Sequence, residues 1–197
     1  MMLEPLGPAA LHVAVDVQRL FVEPSPWQAP AMAAIVPNVA RLARALPTLF
    51  TRFVPAASAV AAPRRWRRYY ERWREVTLDR LDPAMVELVD ALSPRPGIDR
   101  VVDKPTYSLF ECAEAVRGLE ATSADTLLFS GGETDVCVLA TLLGAVDRGY
   151  RVVVVTDAVA SFSAEGHRAV LDAILPRLPE QVELATTDAV LAALERS

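Results

Sequence analysis

One stretch of the chain, residues 126–161, constrains the fold more than any other. It reads TLLFSGGETDVCVLATLLGAVDRGYRVVVVTDAVAS. The apolar run at residues 126–129 leads into a Gly-Gly pair, which predicts a buried strand followed by a tight turn. The nearly all-apolar residues 136–146 predict a helix packed on a sheet and stopped by Gly149. The β-branched residues 151–155 predict a second, parallel strand, so this stretch indicates an α/β fold.

Cys137 lies in the first turn of that predicted helix, where Thr134 and Asp135 are candidate caps. Free backbone amides and the helix dipole favour a thiolate at such a position. A cysteine just after a Gly-Gly turn is therefore a candidate nucleophile, with nearby amides to receive an oxyanion. The alternative is that Cys137 is a small buried hydrophobic residue, which is the usual fate of a free cysteine.

The rest of the chain continues the alternation of strands and helices. Further strands are predicted at residues 11–15, 48–54, 100–102 and 182–186. Further helices are predicted at residues 31–45, 64–75, 83–92, 111–118, 164–175 and 188–195, with Asp82 capping the third of these. Six strands that alternate with helices indicate a doubly wound parallel sheet, which we expect to form one domain over residues 1–197.

Two charged residues follow predicted strands. Asp16 ends the first strand, and Lys104 leaves the strand at residues 100–102. Lys104 is the only lysine of the chain, because the other 19 basic residues are arginine. A site that requires a compact ammonium would retain lysine. The alternative is that Lys104 remained by chance while codon drift replaced other lysines with arginine. Asp16 has an alternative reading too, as a helix cap or turn residue.

The carboxyl ends of parallel strands share one edge of a sheet, so Asp16, Lys104 and Cys137 are expected to converge there. An aspartate beside a lysine can remain ionised and act as a base for a neighbouring thiol. Other cysteine chemistries lack their partners. No second cysteine lies two residues from Cys137, no arginine lies six residues after it, and no Gly-Lys-Ser/Thr follows the glycines. The two histidines, His12 and His167, lie within predicted elements.

The composition excludes several classes of function. The net charge of −5 argues against general polyanion binding, so no nucleic-acid partner is expected. No apolar run reaches membrane-spanning length, and no signal peptide is recognised, so a cytoplasmic protein without a membrane partner is expected. The two cysteines, Cys112 and Cys137, do not make a disulfide framework, and Cys112 is interpreted as structural.

Three segments resemble the isochorismatase-like cysteine hydrolase superfamily. They are VAVDVQRLF around Asp16, VVDKPTYSLF around Lys104 and the SGGETDVCV stretch around Cys137. The resemblance implies a three-layer α/β/α sandwich with a six-stranded parallel sheet, and a catalytic triad of these three residues. It also implies a non-proline cis peptide at Gly132-Glu133 and an oxyanion hole made by the backbone amides of Glu133 and Cys137.

The chain departs from better characterised branches of that superfamily in two places. Nicotinamidases bind a metal through an Asp-x-His motif and a further histidine after the second strand, but the corresponding TRFVPAASAV has no histidine. No metal and no cofactor are therefore expected. Isochorismatases that cleave a vinyl ether lack the nucleophilic cysteine, so the presence of Cys137 favours a C–N bond as the target.

These features predict an amidohydrolase, a hydrolase of non-peptide C–N bonds that cleaves a small amide or ureide through a thioester. The alternatives are a hydrolase of an ester-like substrate and a non-catalytic binding or assembly subunit of the same fold. Candidate residues for the wall of the substrate pocket are Gln18, Phe21, Trp27, Tyr107 and Phe162.

The segment RRWRRYYERWRE, residues 64–75, is not explained by the triad. Trp66, Tyr69, Tyr70 and Trp73 fall at helical spacing, with arginines on the opposite face. An apolar stripe of this width is not expected to remain in water. We expect it to bury against another subunit of a homo-oligomer (dimer or tetramer), or to cover the mouth of the active site.

Overall fold

The computed structural model describes residues 3–196 and contains a six-stranded, all-parallel sheet between two layers of helices. The strands are β1 (Ala10–Val15), β2 (Thr48–Phe53), β3 (Arg100–Lys104), β4 (Thr126–Gly132), β5 (Arg151–Ala160) and β6 (Val182–Ala185). Their order is β3-β2-β1-β4-β5-β6, so the strand order reverses between β1 and β4. Open α/β sheets bind ligands at such a switch point, outside the carboxyl ends of the strands. The predicted three-layer α/β/α sandwich is confirmed.

Seven α-helices lie in the described part of the chain. They are α1 (Arg19–Val22), α2 (Met32–Ala45), α3 (Arg64–Arg72), α4 (Ala113–Glu120), α5 (Leu139–Val146), α6 (Ala164–Ala169) and α7 (Thr187–Leu194). Tight 3-10 turns occur at Arg74–Val76, Pro83–Val86, Leu109–Glu111 and Leu175–Arg177, and wide π-type turns occur at Thr134–Val138 and Val170–Ile174. None of the helices described has the length and apolar character needed to cross a bilayer.

Both faces of the sheet are covered, which explains why its strands are almost continuously apolar. On one face, Leu42 of α2 and Val190 of α7 are fully buried. On the other face, Leu119 of α4 and Leu142 of α5 are buried to the same degree. Each such side chain contributes about 1.5–3 kcal/mol by leaving water. The two cores hold the central strands in register and fix the edge on which their carboxyl ends meet.

A glycine permits the close approach of β4 to β1 at this edge. Gly131 has a φ of 101°, and a Cβ placed on it would lie 2.0 Å from the carbonyl oxygen of Val15. No side chain fits there, because a backbone atom cannot move aside and the positive φ is unfavourable for other residues. Gly131 thus lets the turn that carries Cys137 follow β4 directly against the end of β1.

The helix predicted at residues 83–92 is wrong. Only the 3-10 turn Pro83–Val86 forms, and Asp82 caps it by accepting a hydrogen bond from the Ala84 amide at 2.9 Å. The following backbone pairs with the segment after β1 instead. The Arg19 amide donates to the Glu87 carbonyl at 3.0 Å, and the Val89 amide donates to the Val17 carbonyl at 3.2 Å. These tertiary hydrogen bonds override the local helix propensity of residues 83–92.

Other differences are shifts of boundaries. β5 extends five residues beyond its predicted end and reaches Ala160, because its second half pairs with the end of β4 past a register shift. The predicted helix at residues 64–75 ends as an α-helix at Arg72 and continues as a 3-10 turn. The predicted helix at residues 164–175 changes to a wide turn after Ala169.

Candidate active site

Asp16, Lys104 and Cys137 lie together at the carboxyl edge of the sheet. Asp16 directly follows β1, Lys104 is the last residue of β3, and Cys137 lies in the turn that follows β4. The Lys104 ammonium donates to Asp16 Oδ2 at 2.7 Å. Cys137 lies close to both groups, since the charges of Asp16 and Lys104 act on its thiol in opposite directions. Asp16 and Lys104 are 0% exposed and Cys137 is 6% exposed, so the three form one buried cluster.

Further partners fix the Asp16 carboxylate and the Lys104 ammonium. Thr51 on β2 donates its hydroxyl to Asp16 Oδ1 at 2.6 Å, and Lys104 Nζ also donates to the Thr106 carbonyl at 3.1 Å. The Phe53 ring lies 5.3 Å from Lys104 Nζ, within the range of a cation–π contact. Sequence reasoning missed Thr51, although a threonine on the strand next to an aspartate-terminated strand is a usable signal. Asp16 takes a φ of 51°, which aspartate tolerates better than most residues.

Burial raises the pKa of the Cys137 thiol well above its ordinary value, and the negative charge of Asp16 raises it further. The positive charge of Lys104 acts in the opposite direction without outweighing these effects. Burial and the Asp16 charge therefore oppose the preference for a thiolate that is expected from the helix start. The pKa of Lys104 is raised: burial alone would lower it, but the charges of Asp16 and Cys137 dominate. These shifts favour a neutral Cys137 thiol beside a charged Lys104 ammonium in the resting cluster.

The turn between β4 and α5 carries the thiol and its neighbouring amides. The peptide bond between Gly132 and Glu133 is cis. The Glu133 carbonyl accepts hydrogen bonds from the amides of Val136 and Val138, at 3.1 and 3.0 Å, which closes the wide turn around Cys137. This turn places the Glu133 and Cys137 amides in the same short segment as the sulfur.

Thr134 and Asp135 do not cap this turn, contrary to prediction. Glu133 is the capping residue and makes no side-chain capping bond, while Thr134 and Asp135 are already helical. The Thr134 hydroxyl instead hydrogen-bonds to Nδ1 of His167 on α6 at 2.9 Å. This contact connects the turn that carries Cys137 to α6.

A cavity of about 250 Å³ opens onto Cys137. Its lining residues are Phe21, Pro26, Trp27, Phe53, Tyr69, Trp73, Tyr107, Glu133, Val136, Cys137 and Phe162. Four of the five residues predicted for the pocket wall therefore lie in this lining. Gln18 does not, because its buried side chain donates to the Phe53 and Val86 carbonyls and accepts from the Phe53 amide. The glutamine links β2 to the 3-10 turn Pro83–Val86, which is a structural role.

Helix α3 covers this cavity within the same chain. Tyr69 of α3 and Trp73, which directly follows α3, are part of its lining. Their rings lie 5.9 and 6.4 Å from that of Trp27. Trp66 packs on Tyr107 with ring centroids 5.1 Å apart. The aromatic stripe thus lies over the active-site mouth, the second of the two positions expected from sequence. The adjacent arginines of α3 are exposed.

The remaining cysteine and the two histidines lie apart from the thiol. Cys112 precedes α4, is half-buried, and donates its thiol to the Asp103 carbonyl at 3.4 Å. His12 hydrogen-bonds to Thr48 and Ser130 inside the sheet, and His167 contacts Thr134. Across residues 3–196, no three His, Cys, Asp or Glu side chains cluster closely enough to hold a metal ion.

Comparisons with known proteins identify the family of the chain. Residues 10–188 match the model of the isochorismatase domain. The ureidoacrylate amidohydrolase RutB of Methylobacterium radiotolerans is 32% identical over 208 residues, which cover 84% of this chain and 73% of RutB. The crystal structure of a cysteine hydrolase from Pseudomonas syringae superposes with a TM-score of 0.83 at 25% identity, covering 100% of this chain and 97% of the other.

A more distant structure has the same fold. N-carbamoylsarcosine amidase from Thermoplasma acidophilum superposes with a TM-score of 0.72 at 21% identity, covering 91% of this chain and 96% of that one. The resemblance found in the three sequence segments is confirmed by the domain model, which spans almost the whole sheet. The chain therefore belongs to the isochorismatase family.

Proposed function

We propose that this protein is a cysteine hydrolase that cleaves the C–N bond of a small amide or ureide through a thioester intermediate. The observation that carries the proposal is the buried cluster of Cys137 with the Asp16–Lys104 ion pair, in which Cys137 also lines a cavity. The RutB relative is by name an amidohydrolase, which supports a hydrolase acting on non-peptide C–N bonds.

The first half-reaction forms the thioester. Because the pKa of Cys137 is raised, little thiolate exists at neutral pH, and the proton passes to Asp16 as the sulfur attacks the carbonyl carbon. The backbone amides of Glu133 and Cys137 stabilise the oxyanion of the tetrahedral intermediate. Asp16 then returns this proton to the leaving nitrogen, the C–N bond breaks, and ammonia or an amine departs.

The second half-reaction releases the acid. Asp16, again a carboxylate, takes a proton from a water molecule as its oxygen adds to the thioester carbonyl. The tetrahedral intermediate collapses, the C–S bond breaks, and the proton held by Asp16 returns to the sulfur. Lys104 and Thr51 hold Asp16 in one orientation through both halves, since each donates to a different carboxylate oxygen.

The proposed reaction uses no metal and no cofactor. Both histidines are engaged in hydrogen bonds with hydroxyl side chains, away from the thiol. The groups that move protons are the carboxylate and thiol of the cluster itself. We therefore expect full activity after exhaustive chelation, and loss of activity that zinc, manganese or iron restores would contradict this part of the proposal.

The experiment that tests the function is ammonia release from a panel of primary amides, ureides and carbamoyl compounds. We expect Cys137→Ala to abolish turnover and keep the wild-type melting temperature within a few degrees, because alanine fits a buried helix start. The matched control is Cys112→Ala, which should retain wild-type activity. A Cys137→Ala variant with a tenth of the wild-type rate would contradict a covalent mechanism. Acid release from small esters, assayed beside the panel, without any ammonia release from the panel would indicate the ester-like alternative.

A further inference from the structure

The wall of the cavity carries one acidic side chain and no basic one. Seven of its eleven lining residues are aromatic, and Glu133 is its one carboxyl group. Neither lysine nor arginine is among these lining residues. Phe21 and Trp27 stack with an interplanar angle of 7° and ring centroids 6.1 Å apart, which forms a flat apolar wall. The cavity therefore offers broad stacking surfaces and no counter-charge for an anion.

Glu133 is held in place close to the nucleophile. Its Oε2 accepts a hydrogen bond from the Phe162 amide at 2.9 Å, and the residue is half-buried. Its charge acts on the Cys137 thiol and on the hydroxyls of Tyr69 and Tyr107. Burial and the nearby Asp135 raise the pKa of Glu133, against the effect of the Phe162 hydrogen bond. The carboxyl group thus shares the low-polarity space that a bound substrate would enter.

We propose, resting on the hydrolase function above, that the Glu133 side chain makes this cavity selective against anionic substrates, so that the substrate is an uncharged amide or ureide with a flat apolar body. A carboxylate in such a cavity would lose water, lie near the Glu133 carboxyl group and gain no cationic partner. An uncharged aromatic or planar group would instead stack on the aromatic walls. The volume of about 250 Å³ limits that body to roughly one ring with a substituent.

This inference separates the chain from its named relative. Ureidoacrylate, the compound in the name of RutB, carries a carboxylate. Recognition of a carboxylate usually requires an arginine or lysine, or several backbone amides. The arginines of α3 are exposed rather than part of the lining, and Arg72 stacks on the Trp73 ring with its guanidinium 5.3 Å from the ring centroid. Arg72 is consequently the competing source of anion affinity and the natural control.

The experiment compares two ligands of nearly equal shape and different charge. 4-Nitrobenzamide is uncharged, and 4-carbamoylbenzoate replaces its nitro group with a carboxylate. Their dissociation constants are measured by calorimetry on the Cys137→Ala protein, which cannot turn them over. We expect the uncharged ligand to bind at least about tenfold more tightly, a difference of about 1.4 kcal/mol. Adding Glu133→Gln, which keeps the hydrogen bond from Phe162, should remove most of the difference, whereas adding Arg72→Gln should leave it unchanged.

The outcomes separate this inference from the proposed function. Equal affinity, tighter binding of the anion or binding of neither ligand would overturn the inference, as would a difference that depends on Arg72 rather than Glu133. Ammonia release by the wild-type protein is measured beside the binding. Selective binding of the uncharged ligand without ammonia release from any compound of the panel would leave the selectivity intact and contradict the hydrolase. Equally efficient ammonia release from anionic and uncharged ureides would support the hydrolase and contradict the selectivity.

Discussion

Lys104 and Asp16 form an ion pair that is fully removed from water. A buried pair of this kind contributes little net stability, but removing one partner leaves an uncompensated charge. The pair is completed by the Thr51 hydroxyl on one carboxylate oxygen and the Thr106 carbonyl on the ammonium. The arrangement therefore fixes the position of the carboxylate beside Cys137, at the cost of tolerating almost no change in either member.

The first prediction at the residue scale concerns the single lysine. Lys104→Arg should lower kcat nearly as far as Lys104→Ala, to within about tenfold, because a planar guanidinium does not fit the space between Asp16, the Thr106 carbonyl and the Phe53 ring. Lys104→Ala should also destabilise the fold by about 3–5 kcal/mol. Steady-state kinetics and urea unfolding measure both effects. A Lys104→Arg enzyme with wild-type kcat would make the lone lysine an accident of codon usage.

The second residue-scale prediction separates thiol reactivity from turnover. Asp16→Asn removes a negative charge that raises the pKa of Cys137, while Lys104 remains to lower it. Alkylation of Cys137 by iodoacetamide at pH 7.5 should therefore accelerate, about threefold for each unit by which the pKa falls, because the gain in thiolate is partly offset by its lower nucleophilicity. Turnover should be lost in the same variant. Mass spectrometry of the same samples gives the rate at Cys112 as an internal control. Slower alkylation of Cys137 in Asp16→Asn would mean that Asp16 activates the resting thiol.

The sequence predicted the positions of these residues better than it predicted their pKa values and hydrogen-bond partners. Asp16, Lys104 and Cys137 each follow an apolar run, so the strand pattern alone brings them to one edge. The raised pKa of Cys137 depends on how deeply the tertiary structure buries it, which no local pattern reports. The hydrogen bonds of Gln18 to the Phe53 and Val86 backbone likewise depend on two segments distant in sequence. Residue type and spacing do not encode such partners.

At the scale of elements, the amphipathic pattern of α3 predicts that one face is buried but does not predict which residues cover it. The aromatic spacing predicts correctly that one side of the helix is covered. The structure places Trp27, Phe53 and Tyr107 against that side, residues from three other segments of the chain. This intrachain packing makes the helix a wall of the cavity, and it leaves the oligomeric state as a separate question.

The element-scale prediction is that α3 determines substrate affinity. The double change Trp66→Ala with Trp73→Ala should raise KM on the order of tenfold, the equivalent of about 1.4 kcal/mol of lost contact energy, and leave the molecular mass in solution unchanged. Steady-state kinetics and light scattering after size exclusion measure the two quantities. The matched control is Arg68→Gln on the exposed face, for which no change is expected. An unchanged KM with a smaller particle would identify the helix as a subunit interface instead.

At the scale of the whole molecule, the alternation of apolar runs was sufficient to predict the six parallel strands and the two helical layers. The same pattern over-predicted the helix at residues 83–92, since apolar residues at that spacing serve equally well in an extended segment that pairs with another. Boundaries failed where hydrogen bonds across the sheet extend an element, as they do for β5. The periodicity of apolar residues therefore predicts the fold. The prediction fails where hydrogen bonds between segments distant in sequence determine the backbone conformation.

The global stability should depend on a histidine inside the sheet. His12 is fully buried in β1 and hydrogen-bonds to Thr48 Oγ1 at 3.1 Å and to Ser130 Oγ at 2.7 Å, so it joins three strands. Burial lowers the pKa of His12 to about 3, although the charge of Asp99 opposes this shift. The unfolded chain binds a proton at this residue near pH 6.5, and the folded protein does not until the pH approaches 3.

The stability due to His12 is thus fully present above pH 6.5 and falls as the pH is lowered, by on the order of 1.4 kcal/mol per pH unit. The free energy of unfolding is measured by urea titration between pH 7 and pH 5, above the range where most carboxylates titrate. His12→Gln keeps an amide able to bond both hydroxyls but cannot be protonated there. We expect this variant to be less stable at pH 7 and to show a clearly flatter dependence on pH. An equal slope in the two proteins would assign the acid sensitivity to other groups and refute the role given to His12.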